Sequence, residues 1–257
     1  MAKPIAGISL GWIFDTVPDT LCNILRFLRV NGADAIELCL NLVRLRHLVL
    51  FLSEEMETSL AQFYYVSLHL PEISWRREDP LTTEVVERTS FLLSSFLPSS
   101  VPVRALVVHP NTIEDWGWLA RSNREWLGEK IAVEFPMDTD KESGRSLAEL
   151  REIRDKFPGF DFVLDVQHAY ENDPTGSLAL EAAEIMGSRL RHIHVSGQKQ
   201  RQDELSRHSF LYEADNRAGI QRVLAHSLLS GVPRISEGEF KICDRTAVVS
   251  ELDCLRQ

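Results

Sequence analysis

The stretch Phe162-Val163-Leu164-Asp165-Val166-Gln167-His168-Ala169-Tyr170 decides how the chain is read. A short apolar run ends in a carboxylate, and a histidine follows three residues later. A buried strand carries Asp165 to its end, and the turn beyond can bring His168 back to the same side. An Asp and a His converging at a strand end suit a metal site or an acid/base pair. They equally suit a strand-end Asp that caps the next helix beside a loop His. Taken alone, the stretch leaves both readings open.

The same unit recurs along the chain: a short apolar run, a polar turn, a helical pattern. Predicted strands are Ile5–Leu10, Ala35–Leu38, Tyr64–Leu70, Arg104–His109, Ile131–Phe135, Phe160–Asp165, Leu190–Val195 and Arg234–Glu237. Predicted helices are Asp19–Val30, Leu42–Phe63, Glu84–Phe96, Thr112–Leu127, Ser146–Phe157, Ser177–Met186, Arg217–Leu229 and Asp244–Leu255. Eight strands alternating with eight helices predict an α/β chain folded as a single (β/α)8 TIM barrel, one domain over residues 1–257. An open doubly wound sheet is the runner-up. Gly7 and Gly11 are too sparse for its Gly-rich phosphate loop. The longest irregular piece runs from Ser196 to Asn216, a candidate lid or ligand-binding loop with Lys199, Arg201 and His208.

Lys plus Arg is 28 and Asp plus Glu is 38, a net charge of −10, which argues against a general nucleic-acid binder. The run Leu45–Leu52 is too short to cross a bilayer, and Ile5–Trp12 reads as a strand and not as a signal peptide. Cys22, Cys39, Cys243 and Cys254 have no CxxC spacing and read as reduced core thiols of a cytoplasmic protein. A small-molecule substrate is the expected partner, with no membrane, and a homo-oligomer is left open.

Nearly every strand from the second onward ends on an ionisable side chain: Glu37, His69, His109, Glu134, Asp165 with His168, His194 and Glu237. Carboxylates gathered at one end of one barrel repel each other unless cations neutralise them. His with Asp and Glu, without Cys, is the donor mix of Zn, Mn, Fe or Co. One to three divalent ions per chain are expected. His192 reads as a hydrogen-bonded interior histidine, and His47 and His226 as structural or exposed.

With these strand ends the sequence resembles the xylose isomerase-like TIM-barrel superfamily, which holds sugar isomerases and epimerases and the endonuclease IV family (AP endonuclease family 2). The resemblance implies a shared metal on Glu134, Asp165, His194 and Glu237. The endonuclease IV branch implies further ligands at His69, His109, His168 and His208. Ser206 stands where that branch has an Asp in an Asp-x-His pair. The loop Leu70-Pro71-Glu72-Ile73-Ser74-Trp75 lacks that branch's DNA-probing sequence, and Ile36-Glu37-Leu38 looks like the isomerase branch.

The leading expectation is a metal-dependent isomerase or epimerase of a sugar or related polyol. Glu134 and Glu237, on opposite sides of the ring of strands, would move protons, His168 would orient a substrate oxygen, and Trp12 and Trp75 could stack on a sugar ring. The alternative is an endonuclease IV-like phosphoesterase, with Arg76, Arg77, Lys199 and Arg201 on phosphates. A third is a metal-binding barrel acting on a peptide or another small molecule, oxidatively if the metal is iron.

Overall fold

The computed structural model describes residues 3–11, 18–41, 45, 54–96, 100–141, 143–201, 204–239 and 244–257. Its strands are β1 (Ala6–Ser9), β2 (Ala35–Cys39), β3 (Tyr65–His69), β4 (Val103–Val108), β5 (Ile131–Phe135), β6 (Asp161–Asp165), β7 (Leu190–Val195), β8 (Gly197–Arg201), β9 (Glu204–Ser209) and β10 (Arg234–Ser236). All but β8 and β9 close into one parallel barrel in the order β1-β10-β7-β6-β5-β4-β3-β2. Each of these eight lies within one residue of its predicted limits. They were legible because a strand covered on both faces is apolar along most of its length.

The helices are α1 (Pro18–Val30), α2 (Glu54–Leu60), α3 (Pro80–Phe91), α4 (Trp116–Trp126), α5 (Leu147–Lys156), α6 (Val166–Asn172), α7 (Ser177–Met186), α8 (Arg217–Leu224) and α9 (Arg245–Leu255). In α1, Leu21, Ile24, Leu25 and Leu28 share one face, and Ile24, Leu25 and Leu28 are buried in the main core. A capping box closes the start of α5: the Ser146 hydroxyl accepts from Glu149 N at 3.2 Å, and Glu149 Oε2 accepts from Ser146 N at 2.9 Å. The apolar faces of the helices cover the barrel with Ile8, Val66, Leu106, Phe162 and Leu252 in one cluster. Inside, Ala105, Val107, Ala132 and Val163 form one apolar group, and Ala35, Tyr65 and Ile235 another. Gly7 lets β1 and β2 close up, since a Cβ there would lie 2.3 Å from Ala35 O.

Three expectations change. Helix α6 was not foreseen. Residues 197–201 and 204–209 are not irregular: they form β8 and β9, which pair antiparallel as a hairpin. Of the helix expected over 42–63, the described residues are 45 and 54–63; α2 ends at Leu60 and 61–63 turn away, and His47 lies outside the described residues. No helix of the described residues is long and apolar enough to cross a membrane.

Candidate metal centre

The eight barrel strands run in one direction, so their last residues meet at one rim. There His69, His109, Glu134, His168, His208 and Glu237 line a cleft of about 490 Å3, with Asp165 and His194 buried just beneath. Glu134 is the hub. Its Oε2 lies 3.4 Å from His69 Nε2, 3.3 Å from His109 Nε2 and 3.3 Å from His194 Nδ1. Glu237 Oε1 lies 3.4 Å from the same His194 nitrogen. Glu134 and Glu237 stand on strands three positions apart in the ring of eight, and both side chains reach one imidazole.

The corner that ends β6 does two jobs at once. Asp165 is the N-cap of α6, with Oδ1 accepting from His168 N at 2.7 Å. Its Oδ2 is left facing the centre, 3.6 Å from His168 Nε2. The capping reading holds through Oδ1, and the carboxylate's second oxygen is left for the cleft side. His168 turns its other nitrogen to Asp138 Oδ1 at 2.8 Å and Glu171 Oε2 at 3.5 Å.

Each imidazole is held from behind. His109 Nδ1 meets Glu72 Oε1 at 2.9 Å, His69 Nδ1 meets Leu70 O at 3.2 Å, and His194 Nε2 meets Glu37 Oε2 at 3.1 Å. Such partners fix the ring and its tautomer and leave the other nitrogen for the site. His192 is the interior histidine expected, bonded to Tyr65 OH at 2.8 Å. His208, on β9, lies with its ring 6.0 Å from that of His168. Among the described residues it joins none of the ligand-distance groups that the other seven candidates form.

Charge at the centre is unbalanced. Burial works to lower His109, but the Glu134 and Glu72 carboxylates raise it to about 10. Burial opposes the charge of His168 as well, and Asp165, Asp138 and Glu171 still hold it up at about 12. Burial pushes Glu237 up to about 8 in spite of His194. Burial also works to raise Glu37 and Glu134, but their imidazole neighbours keep both carboxyls well below the usual range. The carboxylates draw protons onto the imidazoles for want of other positive charge.

Several other candidates stand elsewhere. Trp75 is buried at 1% exposure, so its ring cannot stack on a ligand; Trp12 lies outside the described residues. Arg76 pairs with Asp79 at 3.4 Å, Arg77 is exposed, and Lys199 is held by Glu213 at 2.5 Å; none of the three lines the cleft. The side chain of Arg201 and all of Cys243 lie outside the described residues. Cys22, Cys39 and Cys254 form no disulfide, but Cys39 lines the cleft instead of the core. His226 is exposed and caps a short turn by accepting from Leu228 N. The residues sequence reasoning missed are Glu72, Asp138 and Glu171. Glu171 carried a signal, three residues after His168, which shares its face once α6 is recognised.

No protein-family model matches the chain, and no curated protein matches it in sequence. Solved structures do match. Endonuclease IV from Thermus thermophilus is 16% identical, with a TM-score of 0.65 over 98% of each chain. The 3-keto-D-glucoside 4-epimerase from E. coli is 14% identical, with a TM-score of 0.63 over 99% of each chain. D-psicose 3-epimerase from Clostridium cellulolyticum is 12% identical, with a TM-score of 0.64 over 99% of this chain and 96% of that one. The fold is the (β/α)8 barrel that these structures share. Glu134 Oε2, Asp165 Oδ2 and His194 Nδ1 are buried without a hydrogen-bond partner. Their contacts of 3.3–3.6 Å exceed the roughly 2.8 Å of a charge-assisted hydrogen bond. Donors sharing one cation at about 2.1 Å stand about 3.4 Å apart in a tetrahedron. The atoms are spaced as co-ligands, and the residues fit divalent ions.

Proposed function

We propose that this chain is a two-metal enzyme that hydrolyses a phosphate ester of a small molecule. The observation that carries the reading is Glu134 standing at the junction of two donor sets, His69–His109 on one side and Asp165–His194–Glu237 on the other. Charge agrees in direction: Glu37, Glu134, Asp165 and Glu237 are carboxylates buried or nearly so at one end of the barrel, and divalent cations would offset them.

Bound there, the two ions would supply Lewis acidity for the phosphoryl oxygens and lower the pKa of an attacking water. The rest falls to the protein. Glu134, with His69 and His109 on one flank and His194 on the other, spans both sets. Glu237, the least buried carboxylate of its set at 17% exposed, is open to the cleft and can take a proton at a carboxylate oxygen. His168, with Nδ1 2.8 Å from Asp138 Oδ1, can donate from Nε2 to a substrate oxygen. Lys141 is the one Lys or Arg among the described lining residues and can meet a phosphate at the mouth. Duplex DNA is disfavoured as substrate, because Glu72 and Asp138 make the mouth acidic and the whole chain carries −10.

The test is a substrate panel on metal-loaded protein with and without chelator: small phosphate mono- and diesters, an abasic-site duplex, and ketoses. Chelator-sensitive phosphate release from the small esters is the expected result. Ketose epimerisation without ester cleavage overturns it.

A further inference from the structure

The two donor sets are not equivalent. His194 is wholly buried and Asp165 is 1% exposed, whereas the His69 and His109 side chains are 13% and 14% exposed and line the cleft. The difference behind them is larger. Behind His194 is Glu37, a carboxylate at 0% exposure in the barrel interior. Glu37 Oε1 accepts from Ser9 Oγ at 3.2 Å, and Oε2 accepts from Ser67 Oγ at 2.9 Å. Ser9 and Ser67 stand directly across from Glu37 on the neighbouring strands. His192 closes the far side, 3.3 Å from Glu37 Oε2 and 3.0 Å from His194 Nε2, with Tyr65 OH on its other nitrogen. Behind His109, by contrast, is Glu72, whose side chain is 66% exposed. Behind His69 is a main-chain carbonyl.

A carboxylate behind a ligand histidine fixes its tautomer and raises its basicity, and its loss costs roughly 10–100-fold in metal affinity. The effect is greatest where water cannot screen it. Glu37 is fully dry, while Glu72 is in solvent. We propose that the centre is built as one resident and one exchangeable ion position: Asp165–His194–Glu237, backed by Glu37, holds its ion tightly, and His69–His109 holds the ion that comes and goes with the cleft. Glu37 is the positioning residue of the tight half. Glu134 belongs to both halves and so links the loading of one to the other.

The proposal rests on the two-metal reading, and its test separates the two. Metal-free wild-type protein is titrated with Zn2+ against a competing chromophoric chelator. Two phases separated by at least tenfold are expected. In Glu37→Gln the tight phase weakens by roughly 10–100-fold and the weak phase holds. In Glu72→Gln only the weak phase moves. A general loss of structure would weaken both phases together, so the selectivity reports positioning. Crystals of wild-type protein carrying one equivalent of Zn2+ give a second measurement that needs no variant. Anomalous density beside His194, with none beside His69 and His109, supports the proposal. One shared affinity, equal anomalous peaks, or density beside His69 first overturns it and leaves the two-metal reading standing. No bound ion at all overturns both.

Discussion

Two corners of the same rim are built in opposite ways. At the end of β6 the chain turns on itself within four residues: Asp165 caps α6 through His168 N, and the same two side chains face the cleft. At the end of β7 the chain instead throws out the β8–β9 hairpin and ties it down at a distance. Gln198 N donates to Asn216 Oδ1 at 2.9 Å, Gln198 Nε2 to Glu171 Oε1 at 2.8 Å, and Glu239 N to His208 O at 2.8 Å. Local ties place a group by the geometry of one turn. Distant ties place it only when several elements have already docked. Asp165 and His168 come from the first corner, and His208, which joins none of the ligand-distance groups among the described residues, sits on the second.

The largest effect expected is at the hub of the rim, Glu134, which His69, His109 and His194 surround. Glu134→Gln should cost more metal affinity than the roughly 10–100-fold of an outer partner, and abolish metal-dependent activity. Metal content by elemental analysis checks it. A variant that keeps its metal and every activity breaks the shared-centre reading.

Removing the metal should expose the charge imbalance through pH. His109 and His168 are raised to about 10 and about 12, so each adds stability to the metal-free protein below about pH 6.5, lost as pH climbs through those values. Glu237, raised to about 8, adds stability that goes in the same direction, between pH 4.5 and 8. Glu37 and Glu134 are lowered, and their contribution is lost only on the acid side. Metal-free protein should therefore melt progressively lower from pH 6.5 to pH 10. Metal-loaded protein should not, because ions bind deprotonated imidazoles and hold better as pH rises. Melting curves with and without chelator at both pH values test this, and matching profiles would count against it.

Asp165 separates the two jobs of the β6 corner. Asn caps helices about as well as Asp, so Asp165→Asn should fold nearly normally and lose metal. Asp165→Ala should lose metal and a further ~1 kcal/mol with the cap. If both variants melt alike, the cap contributes little and the corner is held by the site alone.

The same contrast explains what could be read from the sequence. Buried strands and their terminal His, Asp and Glu were legible, because an apolar run followed by an ionisable group is a local pattern. Helix α6 was not, because its seven residues (VQHAYEN) are too few to show a period and its cap was counted as a strand end. The hairpin strands GQKQR and ELSRHS carry no apolar alternation and almost no β-branched residues, so nothing in them spelled strand. Glu37 was legible as a strand-end acid but not as the group behind His194, because that contact joins residues 157 positions apart. Glu72 and Asp138 meet their histidines only through space.

Disturbing the distant ties should have moderate effects. A Cβ at Gly238 would lie 2.4 Å from Phe210 Cδ1 and 2.9 Å from its main chain. Gly238→Ala should therefore cost about 1–3 kcal/mol, the usual range for overpacking. It should also move Glu237 next door, so metal content should fall with stability. Unchanged metal content would mean that the hairpin docks independently of the centre.

The smallest effect is expected at Lys199. The sequence offered it as a phosphate contact, but on the hairpin its Nζ is held by Glu213 Oε2 at 2.5 Å and it is absent from the cleft lining. Both side chains are about a third exposed, at 33% and 27%, where ion pairs contribute about 0–1 kcal/mol. Lys199→Ala should shift stability by no more than that and leave the apparent affinity for a phosphate ester within about twofold of wild type, since a lost phosphate contact would cost the 1.5–3 kcal/mol of a charged hydrogen bond. A tenfold rise in KM would show that the hairpin swings Lys199 onto the substrate, and the distant ties would then belong to a moving lid.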